Sequence, residues 1–475
     1  MLRDLLIPAP WRRPRGPARP ARHRTAPVCL ASAIVLVFAC SRPAPDDPES
    51  PADEPADVGH DTQPADEDAA VLIIAIDGLR PADAARADTP NLDRLADEGA
   101  FTGEAEAVMP TITRTNFVSF ATGGFADEHG VVGNQFKTDD WEERVTDGPT
   151  LEEAQASVPV PTIFEVAEEH GLRAGMFAMK GYELVGARGA TVQLGGGEVF
   201  PDEIWDDRYN PQDGGSVEEA VSRRLRKNEV LVDVLAESLE TQPLDLILIN
   251  LGATDYIAHQ QGPESEHYIH AIEKTDALLP RVLELARAAN PDRAWHVLVG
   301  TDHGFSATDR DQLVVPHLEG IFEVEALDEA GIEHRIYQRG GRAAELYVRD
   351  DADAAAAAEL LQDRPWVRAI YTDADVDGRA GDYDDLRVGY EGRRGAVYVI
   401  TDPDYAFAFP NAGQHGSDEP KDRTIPMWLW GEAIDGTSAD LDGATNADIG
   451  PTALTILGIE PDEALETSGR SLLTP

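Results

Sequence analysis

Six residues of this chain have the types and spacing that gather on a metal ion: Asp77, Asp255, His259, Asp302, His303 and His415. Five of them follow apolar runs. VLIIAI (71–76) runs into Asp77. LILINL (246–251) leads through a short turn into Asp255, with His259 four residues on. HVLVGT (296–301) runs into Asp302 and His303. His415 stands between Gln414 and Gly416. A single aspartate at a strand end is ordinarily a turn former or a helix cap. Three strand ends, two Asp/His combinations and one His among small residues are hard to produce by turn chemistry alone. Hard carboxylate oxygens and borderline imidazole nitrogens delivered from several strands converge on one kind of partner, a cation.

The positioning elements follow from the same runs. Short β-branched segments bounded by Gly, Asp and Asn are buried strands of a parallel sheet, and in open α/β sheets ligand chemistry collects beyond the carboxyl ends of the strands. A helix is expected from Thr89-Pro90, with Thr as cap and Pro at the first position. Another follows the Thr-rich stretch 111–116 and ends at Gly123-Gly124. Further helices are expected over 162–170, about 216–239, about 264–289 and 449–457, with strands at 173–179 and 427–432. This alternation predicts an α/β fold with a mostly parallel central sheet covered by helices on both faces. Between Gly304 and Gly413 the pattern changes. ELYVRD (345–350), an Ala-rich helical stretch (352–362), VRAIYTD (367–373) and AVYVITD (396–402) suggest a small α+β insertion at about 320–405, without obvious metal ligands. The catalytic domain is expected to span 71–475.

Ile76-Asp77-Gly78, the Thr89–Leu95 stretch, Asp255-x-x-x-His259, Thr301-Asp302-His303-Gly304 and Gln414-His415-Gly416 resemble the alkaline phosphatase superfamily. The closest resemblance is to its nucleotide pyrophosphatase/phosphodiesterase branch. It extends to Gly450-Pro451-Thr452 and Ser468-Gly469-Arg470-Ser471-Leu472, and covers about 71–304 and 412–475. The resemblance implies two zinc ions per subunit. Asp77, Asp302 and His303 would hold one, completed by the nucleophile; Asp255, His259 and His415 would hold the other. Three protein ligands per ion leave a position open for substrate, and two ions roughly 3.5–4 Å apart stabilise both the attacking and leaving oxygens.

The family pattern Pro-Thr-x-Thr-x-x-Asn places the nucleophile at Thr113, within Met109–Asn116. A neutral hydroxyl is a poor nucleophile, and a metal ion favours its alkoxide. On local chemistry alone Thr111 and Thr115 serve equally well. Asn116 matches the family's phosphoryl-binding Asn, and the helix opening here offers backbone N–H groups to an anion. The implied reaction is hydrolysis of phosphodiester or pyrophosphate bonds in a small-molecule phosphoester, through a covalent phosphothreonine. Where nucleotide-cleaving members carry an aromatic residue and a proline, this chain has Arg114 and Thr115, and Arg114 is either a surface residue or a phosphate contact. Lys180-Gly181-Tyr182 keeps only the first Lys of the Lys-x-Lys that binds the substrate carboxylate in phosphonoacetate hydrolases. Lys180 is therefore either a substrate contact or a solvated lysine. A phosphonate C–P hydrolase, a phosphomonoesterase and a non-catalytic envelope lipoprotein are the alternatives. A sulfatase is disfavoured, since no Cys or Ser nucleophile motif occurs at the corresponding strand end. Among the remaining histidines, His129 is expected to be structural, His267 and His270 to lie on a helix surface, and His296 in the core.

The net charge is −48, and more negative still without the Arg-rich first 40 residues. Such a polyanion repels nucleic acid and anionic membrane surfaces, so no nucleic-acid binding is expected. Residues 1–40 read as a signal peptide. An Arg-rich stretch precedes APVCLASAIVLVFA (26–39), and Val37-Phe38-Ala39-Cys40 resembles a lipoprotein box. Export, with a lipid anchor at Cys40, is expected; a non-lipidated signal peptide or anchor is the alternative. Residues 41–70, rich in Pro, Asp and Ala, cannot bury enough apolar surface to offset their ordering entropy, and form a disordered acidic linker.

Overall fold

The computed structural model describes residues 68–134, 136–137, 144–145, 151–196, 199–200, 216–308, 324–338, 340–376, 380–403, 405–407, 411–432, 434 and 436–474. The targeting segment with Cys40 and the acidic linker as far as residue 67 lie outside these residues.

Seven strands form the main sheet. They are β1 (Ala69–Ile76), β2 (Ala100–Glu106), β3 (Ala174–Ala178), β4 (Val192–Gly195), β5 (Leu246–Leu251), β6 (Ala294–Gly300) and, after four strands of a second sheet, β11 (Thr424–Trp430). The spatial order is β2-β11-β6-β1-β5-β3-β4. β1 pairs in parallel with both β5 and β6, and β3 in parallel with β4 and β5. β11 runs antiparallel to β2 and β6. β1 is buried along its whole length. Ala69, Val71, Ile73 and Ala75 enter one apolar cluster, and Ala70, Leu72, Ile74 and Ile76 enter another on the opposite face. A strand covered on both faces has no need of polar alternation, which is why 71–76 reads as an unbroken apolar run.

Register does the positioning. Ile76 stands beside Leu251, and Ala75 beside Gly300, so β1, β5 and β6 end at one edge. Asp77 and the Asp302-His303 pair leave that edge directly; Asp255 leaves it from the first turn of the helix Ala253–Gln261. Gly78 turns the chain away with φ +71°, and a Cβ there would meet the Phe305 ring at 2.8 Å.

Two expected helices differ in detail. The helical stretch at 264–289 is two helices, Glu266–Asp276 and Leu279–Ala289. Pro280 lacks the N–H that would bond the Asp276 carbonyl, and its ring crowds that oxygen. The Asp276 side chain takes over the cap assigned to Thr89, whose side chain makes no capping bond. The Asp276 carboxylate accepts from Asn91 N at 3.2 Å and Leu92 N at 2.8 Å, satisfying first-turn amides of the helix Pro90–Glu98 from outside it.

The second sheet is antiparallel, with β7 (His334–Gln338), β8 (Ala343–Val348), β9 (Val367–Tyr371) and β10 (Val397–Thr401) in the order β7-β8-β10-β9. It has its own apolar cluster, in which Leu346, Val397 and Val399 pack against Ala357, Ala358 and Leu361 of the helix Ala354–Leu361. No helix among the described residues is long and apolar enough to cross a membrane.

Candidate active site

The ends of β1, β5 and β6, with the segment that carries His415, bring the six predicted ligands together as two triads: Asp77, Asp302 and His303, and Asp255, His259 and His415. Among the described residues these are the only groups of three that could hold an ion. His303 Nε2 lies 3.3 Å from Asp302 Oδ2 and 3.7 Å from Asp77 Oδ1. Asp255 Oδ1 lies 3.4 Å from His259 Nε2 and 3.7 Å from His415 Nε2.

Hydrogen bonding fixes each imidazole in the same way. His303 Nδ1 donates to Gly304 O at 3.0 Å, His259 Nδ1 to Gly413 O at 3.0 Å, and His415 Nδ1 to Thr111 O at 2.7 Å. The proton on Nδ1 leaves a lone pair on each Nε2, turned into the site, as metal-bound histidines require. His259 Nε2 and His415 Nε2 face each other at 3.2 Å. Two lone pairs at that distance repel unless a cation lies between them. Asp77 Oδ1, Asp255 Oδ1 and Asp302 Oδ2 are buried without a hydrogen-bond partner, and such oxygens are costly to leave unpaired. The donor sets, O, O, N and O, N, N, fit divalent metal ions of the zinc type.

The three threonines separate cleanly. Thr111 donates to Ser417 O at 2.9 Å and accepts from Gly416 N at 3.0 Å. Thr115 donates to Val131 O at 2.8 Å. Thr113 opens the helix Thr113–Thr122, and its hydroxyl lies 3.3 Å from His303 Nε2 and 3.0 Å from Lys180 Nζ.

Residues 71–422 match the family described as type I phosphodiesterase / nucleotide pyrophosphatase. The chain belongs to that family. Among curated relatives, human ectonucleotide pyrophosphatase/phosphodiesterase family member 7 is 26% identical over 249 residues, covering 50% of this chain and 48% of that protein. Venom phosphodiesterase 2 of Crotalus adamanteus is 23% identical over 253 residues, covering 52% of this chain and 28% of that protein. The chain thus spans about half the length of the first of these relatives or less. Among solved structures, the murine ectonucleotide pyrophosphatase/phosphodiesterase 5 in complex with AMP, an inactive variant with threonine changed to alanine, superposes with a TM-score of 0.59. It is 17% identical, covering 86% of this chain and 100% of that one. Phosphonoacetate hydrolase from Sinorhizobium meliloti 1021 gives 0.57 at 18% identity, covering 82% and 96%. Wild-type alkaline phosphatase PafA gives 0.64 at 14%, covering 85% and 98%. These likenesses establish the alkaline phosphatase-like fold.

The electrostatics of this phosphodiesterase-family site centre on crowded carboxylates. Burial, with Asp302 beside it, pushes the Asp77 carboxyl well up from its ordinary value. Burial raises Asp302 to about 6. Burial also opposes the charge of Asp255, but Lys180 and the three histidines hold it low. Lys180 is not a solvated lysine: its side chain is 5% exposed, and Nζ lies 2.8 Å from Asp77 Oδ2 and 2.8 Å from Asp255 Oδ2. Against the cost of burial, Asp255 and Asp77 hold its ammonium firmly protonated.

Asn116 does not reach the site. Fully buried, its Nδ2 faces the carbonyls of Val108, Pro110 and Ile112 at 3.0–3.3 Å, and its Oδ1 accepts from Asn446. It clamps the turn before Thr113 through these bonds. The motif match alone could not reveal this, because Asn446 lies 330 positions away. Arg114, half-buried, donates to Asn134 O at 2.8 Å and lies 5.3 Å from the Tyr182 ring centroid. That places Arg114, Tyr182 and the exposed Asn134, a residue not singled out in the sequence, around the Thr113 end of the helix. Glu183 and Asn250 were also missed. Asn250 Nδ2 donates to Glu183 Oε1 at 2.9 Å and Asp77 Oδ2 at 3.2 Å. Both are buried polar residues beside strand ends, the only signal the sequence held.

Of the other histidines, His129 is buried between Ser119 and Val131 N. His270 is exposed, and His267 and His296 are partly exposed, so His296 is not core.

Proposed function

We propose that this chain is an exported two-zinc hydrolase that cleaves phosphodiester or pyrophosphate bonds through a covalent phosphothreonine at Thr113. The observation that carries it is the Thr113 hydroxyl, which alone among the three threonines of this turn faces the triads and Lys180. The inactive Thr-to-Ala variant of the murine relative, solved with AMP, supports a threonine nucleophile and a nucleotide-like phosphoester as substrate class.

Asp77, Asp302 and His303 would hold one ion and Asp255, His259 and His415 the other. When bound, the ions supply Lewis-acid stabilisation of alkoxide and phosphoryl charge. Lys180 donates to Thr113 Oγ and favours its alkoxide by charge. The first-turn amides of the helix Thr113–Thr122 have no intrahelical acceptors and are available to phosphoryl oxygens. Arg114 and Lys180 are the substrate-side cations. Attack by Oγ forms the O–P bond as the leaving group departs, and water then breaks it, restoring the hydroxyl. The three orphaned carboxylate oxygens and the Nδ1–H tautomers support the metal assignment. Residues 1–40 would direct export, with lipid on Cys40.

The test is a panel on zinc-loaded protein: an aryl diester, an aryl monoester, a dinucleotide and phosphonoacetate. The diester and dinucleotide should have the highest kcat/KM. A monoester dianion needs more positive charge than this strongly acidic chain collects near Thr113. The buried Lys180 favours a second reading, a phosphonate C–P hydrolase; phosphonoacetate turning over faster than the diester decides for it. For the anchor, Cys40→Ser should move the protein from the membrane to the soluble fraction, and unchanged fractionation overturns lipidation at that residue.

A further inference from the structure

A buried cation at the start of the second sheet links it to the segment that carries His415. Arg342, fully buried immediately before β8, donates from Nη1 to Glu419 Oε2 at 2.6 Å and lies 3.8 Å from Asp422 Oδ2. Its Nη2 donates to Thr401 O of β10 at 3.1 Å, and its own N–H donates to His415 O at 3.1 Å. Asp422 carries the connection onward. Its carboxylate accepts from Ser306 Oγ at 2.6 Å, Ser417 Oγ at 2.5 Å and Ser417 N at 3.1 Å. Ser306 pairs with Gln414 in a two-stranded ladder, and Ala412 N donates to His259 O at 2.8 Å. The Arg342 N–H, Ser417 and Ser306 all lead to residues 412–417, the segment that carries His415 and supplies the carbonyl that fixes His259. Close packing closes the junction. Gly416 has φ +109°, and a Cβ there would fall 3.1 Å from Gly340 Cα, so the two chains meet backbone to backbone.

Resting on the metal-centre assignment above, we propose that Arg342 is a positioning residue for the triad Asp255, His259 and His415, through which the second sheet holds that ion's ligands in place. A buried guanidinium between two carboxylates is poorly replaced by solvent: its loss leaves the buried Asp422 without a cation, while Glu419 keeps Arg368 Nε at 3.5 Å. Asp422 then grips Ser306 and Ser417 less firmly, and His415 loses the orientation its Nδ1–H bond to Thr111 O requires. The triad of Asp77, Asp302 and His303 meets this junction only through backbone and ring contact, Gly304 N donating to Asp422 O at 2.7 Å and the His303 ring stacking on His415 at 3.6 Å, while its carboxylates have partners of their own. Gly78 N and His303 N both donate to Asp302 Oδ1, at 3.0 and 3.1 Å, and Asn250 donates to Asp77.

The experiment measures zinc affinity by competition with a chromophoric chelator in two one-site backgrounds. Asp302→Asn leaves the Asp255 triad as the intact site; His259→Ala leaves the Asp77 triad. Adding Arg342→Met should weaken zinc about 10–100-fold in the first background, the range seen when a ligand's orienting partner is lost, and at least about tenfold less in the second. Equal weakening in both backgrounds makes Arg342 a general structural residue and overturns the inference, as does no effect in either. Should Arg342→Met fail to fold, Ser306→Ala, which removes one hydrogen bond to Asp422, is compared in the same two backgrounds against the same criteria. Full-length protein with all ligands intact that takes up no zinc overturns the metal assignment itself, a result distinct from either of these.

Discussion

Lys180 donates to the hydroxyl of Thr113 across 3.0 Å while touching a carboxylate of each triad, Asp77 and Asp255, at 2.8 Å. An ammonium has three N–H donors, and here they meet both halves of the centre and the nucleophile. The contact gives Thr113 a cationic neighbour that Thr111 and Thr115, tied to backbone carbonyls, do not have.

Thr113→Ala should lower turnover by at least about three orders of magnitude, because the two-step route is lost with the covalent nucleophile. Metal content, measured by elemental analysis on the same samples, should stay nearly intact. Thr115→Ala should leave turnover within a few-fold of wild type in the same assay. A dead Thr115→Ala beside an active Thr113→Ala reverses the assignment.

Chelation should abolish activity, and zinc should restore it better than magnesium. Three imidazole nitrogens suit zinc, whereas Mg²⁺ prefers oxygen octahedra. Activity and bound metal are followed together after exhaustive dialysis against chelator. Full activity without detectable metal sinks the metal assignment.

Asn116→Ala should destabilise the fold by about 1–3 kcal/mol, the cost of orphaning buried carbonyls, and lower the urea midpoint. With metal bound, kcat should change far less than in Thr113→Ala. A loss of kcat comparable to that of Thr113→Ala at unchanged stability returns Asn116 to the phosphoryl group.

His129 gives a pH signature away from the metal centre. Burial lowers its pKa from 6.5 to about 3, and its Nδ1 accepts from Val131 N, which a protonated ring cannot do. The folded state therefore binds fewer protons here than the unfolded chain between those values. The associated stability is present above pH 6.5 and is lost as pH falls toward 3. Urea midpoints at pH 7.5 and pH 5 should show a smaller acid-induced drop for His129→Gln than for wild type. Equal drops mean His129 does not contribute.

The sequence by itself determined the doubly covered strands, the mostly parallel sheet and the six donors, because a strand covered on both faces must be apolar throughout and five of the donors follow such runs directly or through a short turn. The strands β2, β4 and β7, which lack such runs, were not legible. Tertiary structure decided what depends on partners far along the chain. Register of β1, β5 and β6 set five donors at one sheet edge, the segment 412–417 brought His415 to them, and backbone carbonyls turned every Nε2 inward. Local chemistry left Thr111, Thr113 and Thr115 equivalent and the family pattern singled out Thr113; the fold turns its hydroxyl toward the triads and Lys180. Asn116 was claimed by Asn446, Lys180 was drawn into the site by carboxylates beyond two different strand ends, and Asp276 replaced Thr89 as a cap. A side chain's type is written at its own position, but its hydrogen-bond and charge partners are chosen by packing, and those partners decide whether it acts on substrate or on the scaffold.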